Sequence, residues 1–398
     1  MYDVIVVGGG LMGLSSAYYT AKTGAKVLLI EGGALFNEQQ SSKGESRFFR
    51  VMYADENLAK LVLAADPLWR DLASASGRVL RHIQGVLFLG DPSGGNTPEG
   101  SLKACMEVMD KLHLPYQTYS GQALQNKFPV WKSLPTWGPN QQPTLGVFQP
   151  NGGPIYAART LAALAVLGWE HGVDLRERDR VIAIEPGATP DQPVTIRTDS
   201  GKSYSAPKVI LTPGAWTNSV LKPLGIQLNL TIWEMTVAYY AVTNSTIEMP
   251  LWFYFGQPQG ANKGTFYSVP PLVTPGQVKM STDFTFNMFT SPEQASGKPD
   301  PRILTYLQQF ITEHLTGIAP TTIPGSADTC FFVMPPDEDF ILDFLPNHPN
   351  ITIFTGESGQ AFKFGPLIGT ILSELTTKGT TGYDISRFKI TRPGIIKA

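Results

Sequence analysis

The stretch "VIVVGGGLMGLSSAYYTAKTGAKVLLIE", residues 4–31, limits the fold of this chain more than any other segment. Val4–Val7 is an unbroken apolar run, as a strand buried on both faces requires. Gly8, Gly10 and Gly13 set a GxGxxG spacing, an apolar helix runs from Leu11 to near Gly24, and a second buried strand, "KVLLIE", follows. Strand, glycine turn, helix and strand make one βαβ unit of a parallel sheet. The glycines have separate tasks: Gly8 permits the tight turn, Gly10 lets the main chain approach a pyrophosphate, and Gly13 lets helix close on strand. The helix start at Leu11 and Met12 offers unpaired N–H groups to phosphate. Glu31 ends the second strand, where a carboxylate accepts from a ribose 2′-hydroxyl. The unit reads as a dinucleotide site and by itself leaves NAD and FAD both open. Its N-terminal place and the interrupted return of the same domain favour FAD.

A chain of 398 residues exceeds one ordinary core, which predicts two domains. The first is expected over 1–80, 151–225 and 326–398. "PIYAARTLAALAVLGWEHG" predicts a helix with Pro154 near its first turn and Gly172 as its stop; strands in "VDLRERDRVIAIEP", "VTIRTDS" and "KVILTPGAW" follow it. "NITIFTGESGQAFKFGPLIGTILSEL" repeats strand, glycine turn and helix near the end. The second domain, over 81–150 and 226–325, contains "LTIWEMTVAYYAVT", "LWFYF", "TFYSVPP" and "VKMSTDFTF", aromatic and β-branched runs that predict an antiparallel sheet. A formal charge of -2 gives no field for nucleic acid or an anionic membrane. The five histidines and two cysteines lack ligand spacing, so no metal site is expected. Cys105 recurs with Leu102, Met106, Met109 and Leu112 at helical spacing and reads as core. With no apolar run near the roughly 20 residues a bilayer needs and no leader pattern, a cytoplasmic protein is expected.

Several segments, in this order, carry a further signal: the glycine fingerprint, "SSKGESRFFR", "LTPGAW", "CFFVMPPDEDFILDFLP", "GESGQAFKFG" and "DISRFKITRP". Together they resemble the monomeric sarcosine oxidase and N-methyltryptophan oxidase family of FAD amine oxidases, from end to end. The resemblance implies an α/β fold with a Rossmann-like FAD domain of the glutathione-reductase type and a second α+β substrate domain on an antiparallel sheet. It also implies a monomer whose partners are a small amino acid or amine and O₂. Cys330, just before "PPDED", matches the cysteine through which that family binds FAD covalently. A thiolate there needs a cationic neighbour, which Arg47 can supply; a plain core cysteine is the alternative. Arg50 and Lys363 match the family's two carboxylate anchors, where a planar fork and a point charge suit the group they hold. Lys279 matches the lysine that activates oxygen, and Tyr267 an aromatic of the substrate pocket. The same likeness places Ser41, Ser42, Lys43, Ser46 and Arg47 against the cofactor. Val181, Gly214 and Trp216 join them, as do Gly359, Gln360, Phe362 and Lys363.

Departures from the family concern the substrate. Lys43 and Asp283 stand where the family has histidines, and Phe332 where it has a tyrosine. Asp283 either pairs with a second basic group of a larger substrate or sits at the surface. The implied activity is oxidation of a secondary or N-substituted amino acid to an imine with release of H₂O₂. Three alternatives stay open: a tailoring oxidase that desaturates a cyclic amine, a flavin dehydrogenase that uses an electron carrier, and a protein that holds the nucleotide only for structure.

Overall fold

The computed structural model describes residues 1–94, 101–189 and 191–397. The apolar run Val4–Val7 is the inner strand of a six-stranded sheet, parallel to Val27–Ile30 on one side and to Lys208–Leu211 on the other. Asp174–Arg176 extends the sheet beyond Val27–Ile30. His348–Thr355 joins in parallel beyond Lys208–Leu211, and Ile341–Leu345 closes that edge antiparallel. All four residues of each of the first two strands are buried, which is why neither alternates. The helix Leu11–Ala21 covers one face together with the tail helix Gly365–Lys378, and Ser15 Oγ donates to the Gly365 carbonyl at 3.0 Å where they meet.

The second layer is a ten-stranded sheet, antiparallel apart from the parallel pair Val86–Gly90 with Leu251–Phe255. Its aromatic residues alternate as the pleat requires. Trp252, Tyr254 and Phe266 pack on Phe310 of the helix Pro301–His314, forming the outer core. On the opposite face Phe253 pairs with Tyr267, and Val269 with Lys279, so an aromatic wall and a buried lysine face the nucleotide layer.

The structure differs from the expected segments in two places. Pro154 lies in the strand Gly153–Tyr156, opposite Phe48 of Ser46–Phe49, and the helix starts only at Ala157. That short antiparallel ribbon captures the residues that the helical pattern claimed. The strand Asp328–Met334 pairs along its length with Thr231–Val237 of the large sheet, although the expected boundary at 326 assigns it to the nucleotide domain. Cys330 is therefore held by the second layer while facing the first.

A Cβ at Gly13 would lie 1.8 Å from the Gly8 carbonyl oxygen. Elsewhere in a helix Gly→Ala adds up to about 1 kcal/mol of stability, so the sign of the change is diagnostic. Gly13→Ala is expected to lose about 2 kcal/mol or more in urea unfolding and to weaken FAD retention. Unchanged or greater stability would contradict the close approach.

Candidate active site

Two adjoining cavities lie between the layers. The larger, about 280 Å³, opens where the parallel strands end and is walled by Gly8 to Met12, Glu31, Thr212 and Thr355. This is the crevice at the carboxyl ends of the strands, where open α/β sheets bind ligands. Gly8 takes φ +106°, and a Cβ on it would stand 2.4 Å from the Thr212 carbonyl oxygen. The Glu31 carboxylate accepts from the N–H of Gly9 at 2.6 Å and of Gly33 at 2.8 Å, and each oxygen keeps a second lone pair for a ribose hydroxyl. Ser42 Oγ accepts from the N–H of Leu11 at 3.0 Å, so this donor, expected to be unpaired, is taken by a side chain of the 41–42 loop. Ser41, Arg47, Val181, Gly214, Trp216, Gly359 and Phe362 complete the wall among the sequence-derived residues.

The shape and the donors fit a dinucleotide. Gly8 and Gly13 keep the turn free of side chains, and the buried amide of Gln40 and the Oε1 of Glu357 line the cavity without hydrogen-bond partners, ready for a polar ligand. Gly13 itself lies behind the turn, outside the wall, as a packing glycine.

The smaller cavity, about 80 Å³, shares Arg47, Phe332, Gly359 and Phe362 with the larger one and so opens from its end. Ser46, Arg50, Tyr267, Lys279, Asp283, Cys330, Gln360 and Lys363 line it. Arg50 is 2 % exposed, and its guanidinium stacks 4.1 Å from the Tyr53 ring centre and 5.1 Å from that of Phe88. Its Nη1 donates to the Met52 carbonyl. Lys363 Nζ donates to the Tyr53 hydroxyl at 3.0 Å and to the Gln360 carbonyl at 2.6 Å. The main chain of Lys363 is fixed in turn, because the Trp69 indole N–H donates to its carbonyl at 2.7 Å. Tyr53 thus touches both cationic groups, yet the sequence reading did not single it out. The only signal was an aromatic residue close behind Arg50.

Lys279 Nζ donates to the Ser46 carbonyl at 3.2 Å. Burial, helped by Arg47, lowers its pKa to about 7, while Cys330, Asp328 and Glu45 act the other way. Burial pushes the Cys330 thiol up, and the positive charges of Arg47, Lys279 and Lys43 oppose that shift. Burial also raises the Tyr267 phenol, with the Cys330 thiolate adding to it. Arg47 is held by the carbonyls of Ser41 at 2.6 Å and Lys43 at 2.8 Å, with its guanidinium 5.3 Å from the Phe362 ring centre.

Besides Gly13, Lys43 departs from the expected placement. It lines neither cavity; its ammonium lies 2.9 Å from Asp328 and 3.6 Å from Glu38, turned away by these two carboxylates. Its main-chain carbonyl helps to hold Arg47, and its side chain acts on the site as a charge that favours the Cys330 thiolate. Asp283 faces the smaller cavity, so the surface alternative does not hold.

Comparison with known proteins agrees with this geometry. The family model for FAD dependent oxidoreductases matches residues 3–375. The human peroxisomal sarcosine oxidase is 31% identical over 100% of this chain and 98% of its own length. A monomeric sarcosine oxidase from Bacillus sp. (strain NS-129) is 26% identical, with 100% and 98% covered. Among solved structures, the open form of NikD, described as an unusual amino acid oxidase essential for nikkomycin biosynthesis, superposes with a TM-score of 0.88 at 34% identity, covering 98% of this chain and 97% of NikD. With its fingerprint, its two-layer fold and nearly its whole length matched, the chain belongs to the family of FAD-dependent oxidoreductases and is an enzyme of that class.

Proposed function

We propose that this enzyme oxidises a compact secondary or N-substituted amino acid, sarcosine-, N-methyl amino acid- or pipecolate-like, to its imine, with O₂ reduced to H₂O₂. The observation that carries the reading is the pair of buried cations, Arg50 and Lys363, in a small cavity that opens from the end of the nucleotide cavity. FAD, when bound, supplies the acceptance of a hydride from the carbon next to nitrogen and the passage of both electrons to O₂.

Arg50 and Lys363 hold the substrate carboxylate, and their contacts with Tyr53 fix both before substrate arrives. Phe253 and Tyr267 exclude water from the amine side. Lys279 places a positive charge where negative charge grows on oxygen. Substrate reacts as the free amine, so no side-chain base is assigned. A cavity of about 80 Å³ favours a compact substrate over one bearing an indole. We further propose Cys330 as the covalent attachment of FAD, a reading supported by its place in the smaller cavity with Arg47 and Lys279.

A second reading has its own observation. Asp283 puts a carboxylate in a cavity whose other charged side chains, Arg47, Arg50, Lys279 and Lys363, are all basic, which suits a substrate with a second basic or polar group. NikD, the biosynthetic amino acid oxidase at 34% identity, makes a tailoring oxidase that desaturates a cyclic amine the natural form of that reading.

Anaerobic titration with a panel of secondary amino acids, followed by air, tests the activity. Absorbance at the flavin band is expected to bleach and to return within seconds with H₂O₂. A flavin that bleaches but stays reduced in air would assign a dehydrogenase instead. Arg50→Met and Lys363→Met are each expected to lower kcat/KM at least about 100-fold, since each removes one of the two buried charged partners of the carboxylate. Loss below about threefold in both would overturn the carboxylate assignment.

Lys279→Met is expected to slow re-oxidation about 100-fold with little change in the anaerobic step. It also has a stability signature. Between about pH 7 and the ordinary value of 10.5, the unfolded chain keeps a proton on Lys279 that the folded, flavin-free chain has released. The residue therefore makes stability rise with pH in that window, by up to about 1.4 kcal/mol per unit, and Lys279→Met should flatten the slope. An unchanged slope would contradict the burial of the ammonium.

Acid precipitation tests the attachment. A yellow pellet from the parent chain and a white pellet from Cys330→Ala are expected; a yellow supernatant from both would remove the tether and leave FAD binding untouched.

A further inference from the structure

The tail loop brings to the nucleotide cavity a carboxyl group that the proposed reaction does not use. Glu357 follows Gly356 at the end of the strand His348–Thr355 and lines the larger cavity with Gln40. Its Oε1 is buried without a hydrogen-bond partner, and the Gln40 side chain, 7 % exposed, has neither its oxygen nor its nitrogen paired. Unpaired buried polar atoms are costly, and two such side chains on one wall of a cavity mark where a polar ligand completes the bonding. Ser41, next to Gln40, turns its hydroxyl to Glu357, which places the two groups on the same stretch of wall.

The surroundings do not favour a carboxylate there. Burial pushes Glu357 up to about 7, and only the Ser41 hydroxyl and the main chain of Glu357 and Val333 act against it. The charged side chains on the same cavity are Glu31, Arg47, Arg180 and Glu293, none of them among the groups that shift Glu357. Lys279 and Lys363 belong to the adjoining cavity, and Lys43 is turned to Asp328. A dinucleotide adds the negative charge of its pyrophosphate to the space that Glu357 faces, which disfavours ionisation further.

We propose that Glu357 works as a neutral carboxylic acid that donates a hydrogen bond to an acceptor atom of bound FAD, beside the Gln40 amide, so that FAD binding draws one proton from water onto Glu357. An ionised Glu357 has no proton to give and repels the ligand, so cofactor affinity falls as pH rises. The inference concerns cofactor binding and does not depend on the identity of the amine.

The test uses the full chain carrying Cys330→Ala, which keeps FAD exchangeable, with affinity read from quenching of FAD fluorescence between pH 6 and 9. Affinity is expected to fall about 100-fold across that range, the factor that follows when only the protonated form binds and the free group titrates near 7. Glu357→Gln, which keeps a donor but cannot ionise, should bind within about threefold of its parent at pH 6 and lose most of the slope. Lys279 titrates in the same range and contributes equally to both chains, so the difference belongs to Glu357. Should Glu357→Gln not fold, calorimetry in two buffers at pH 8 on the chain with Lys279→Met should find close to one proton taken up per FAD. A slope equal in the Glu357→Gln chain and its parent, or no proton uptake in the Lys279→Met chain, would overturn the proposal.

Discussion

The structure depends on one close approach. The helix Leu11–Ala21 settles on the turn after the first strand because Gly13 presents only hydrogen toward the Gly8 carbonyl, while Gly8 itself passes the Thr212 carbonyl with no room for a side chain. That contact sets the helix N-terminus over the crevice, aligns the strands beside it, and leaves space for a cofactor whose binding atoms are mostly main chain. Packing of the tail helix on Leu11–Ala21 then fixes the loop that carries Glu357, Gln360 and Lys363. The nucleotide cavity follows from these few atoms, and the large sheet adds Phe253, Tyr267, Lys279 and Cys330 to the smaller one.

Charge distinguishes the two ends of the site. At the turn, the ligand is met by N–H groups and by Glu31, suited to phosphate and ribose. In the smaller cavity Arg47, Arg50, Lys279 and Lys363 converge around a space too small to hydrate them well. Two aromatic side chains hold this cluster, Tyr53 between Arg50 and Lys363 and Phe362 against Arg47, and Asp283 lines the same cavity. An anionic ligand relieves the remaining repulsion, which is the physical reason a carboxylate belongs there. Arg47 and Lys279 of this cluster, with Lys43, also oppose the effect of burial on Cys330.

Much of this was legible because it is local. The fingerprint, the strand runs and the helical spacing around Cys105 are patterns within a few turns of chain, and the structure repeats them. What was not legible needed a partner distant in sequence. Pro154 reads as a helix start until Ser46–Phe49 pairs with it. Lys43 reads as a cofactor contact until Asp328, nearly three hundred residues on, takes its ammonium. Glu357 stands in a segment that was quoted for other residues and Tyr53 just beyond one, and only the fold shows that Tyr53 bridges two cations and that Glu357 lines the same cavity as Gln40. The strand of Cys330 belongs to the large sheet through pairing with Thr231–Val237, a register no linear pattern reveals.

The account turns on the two cavities acting as one site, with the redox ring of FAD at their junction and the substrate carboxylate beyond it. A crystal structure of the protein with FAD and an unreactive carboxylate analogue measures this directly. The ring is expected against Arg47, Phe332, Gly359 and Phe362, with the analogue's carboxylate within hydrogen-bond reach of both Arg50 and Lys363. A ring placed elsewhere, or a carboxylate that contacts neither cation, would contradict it.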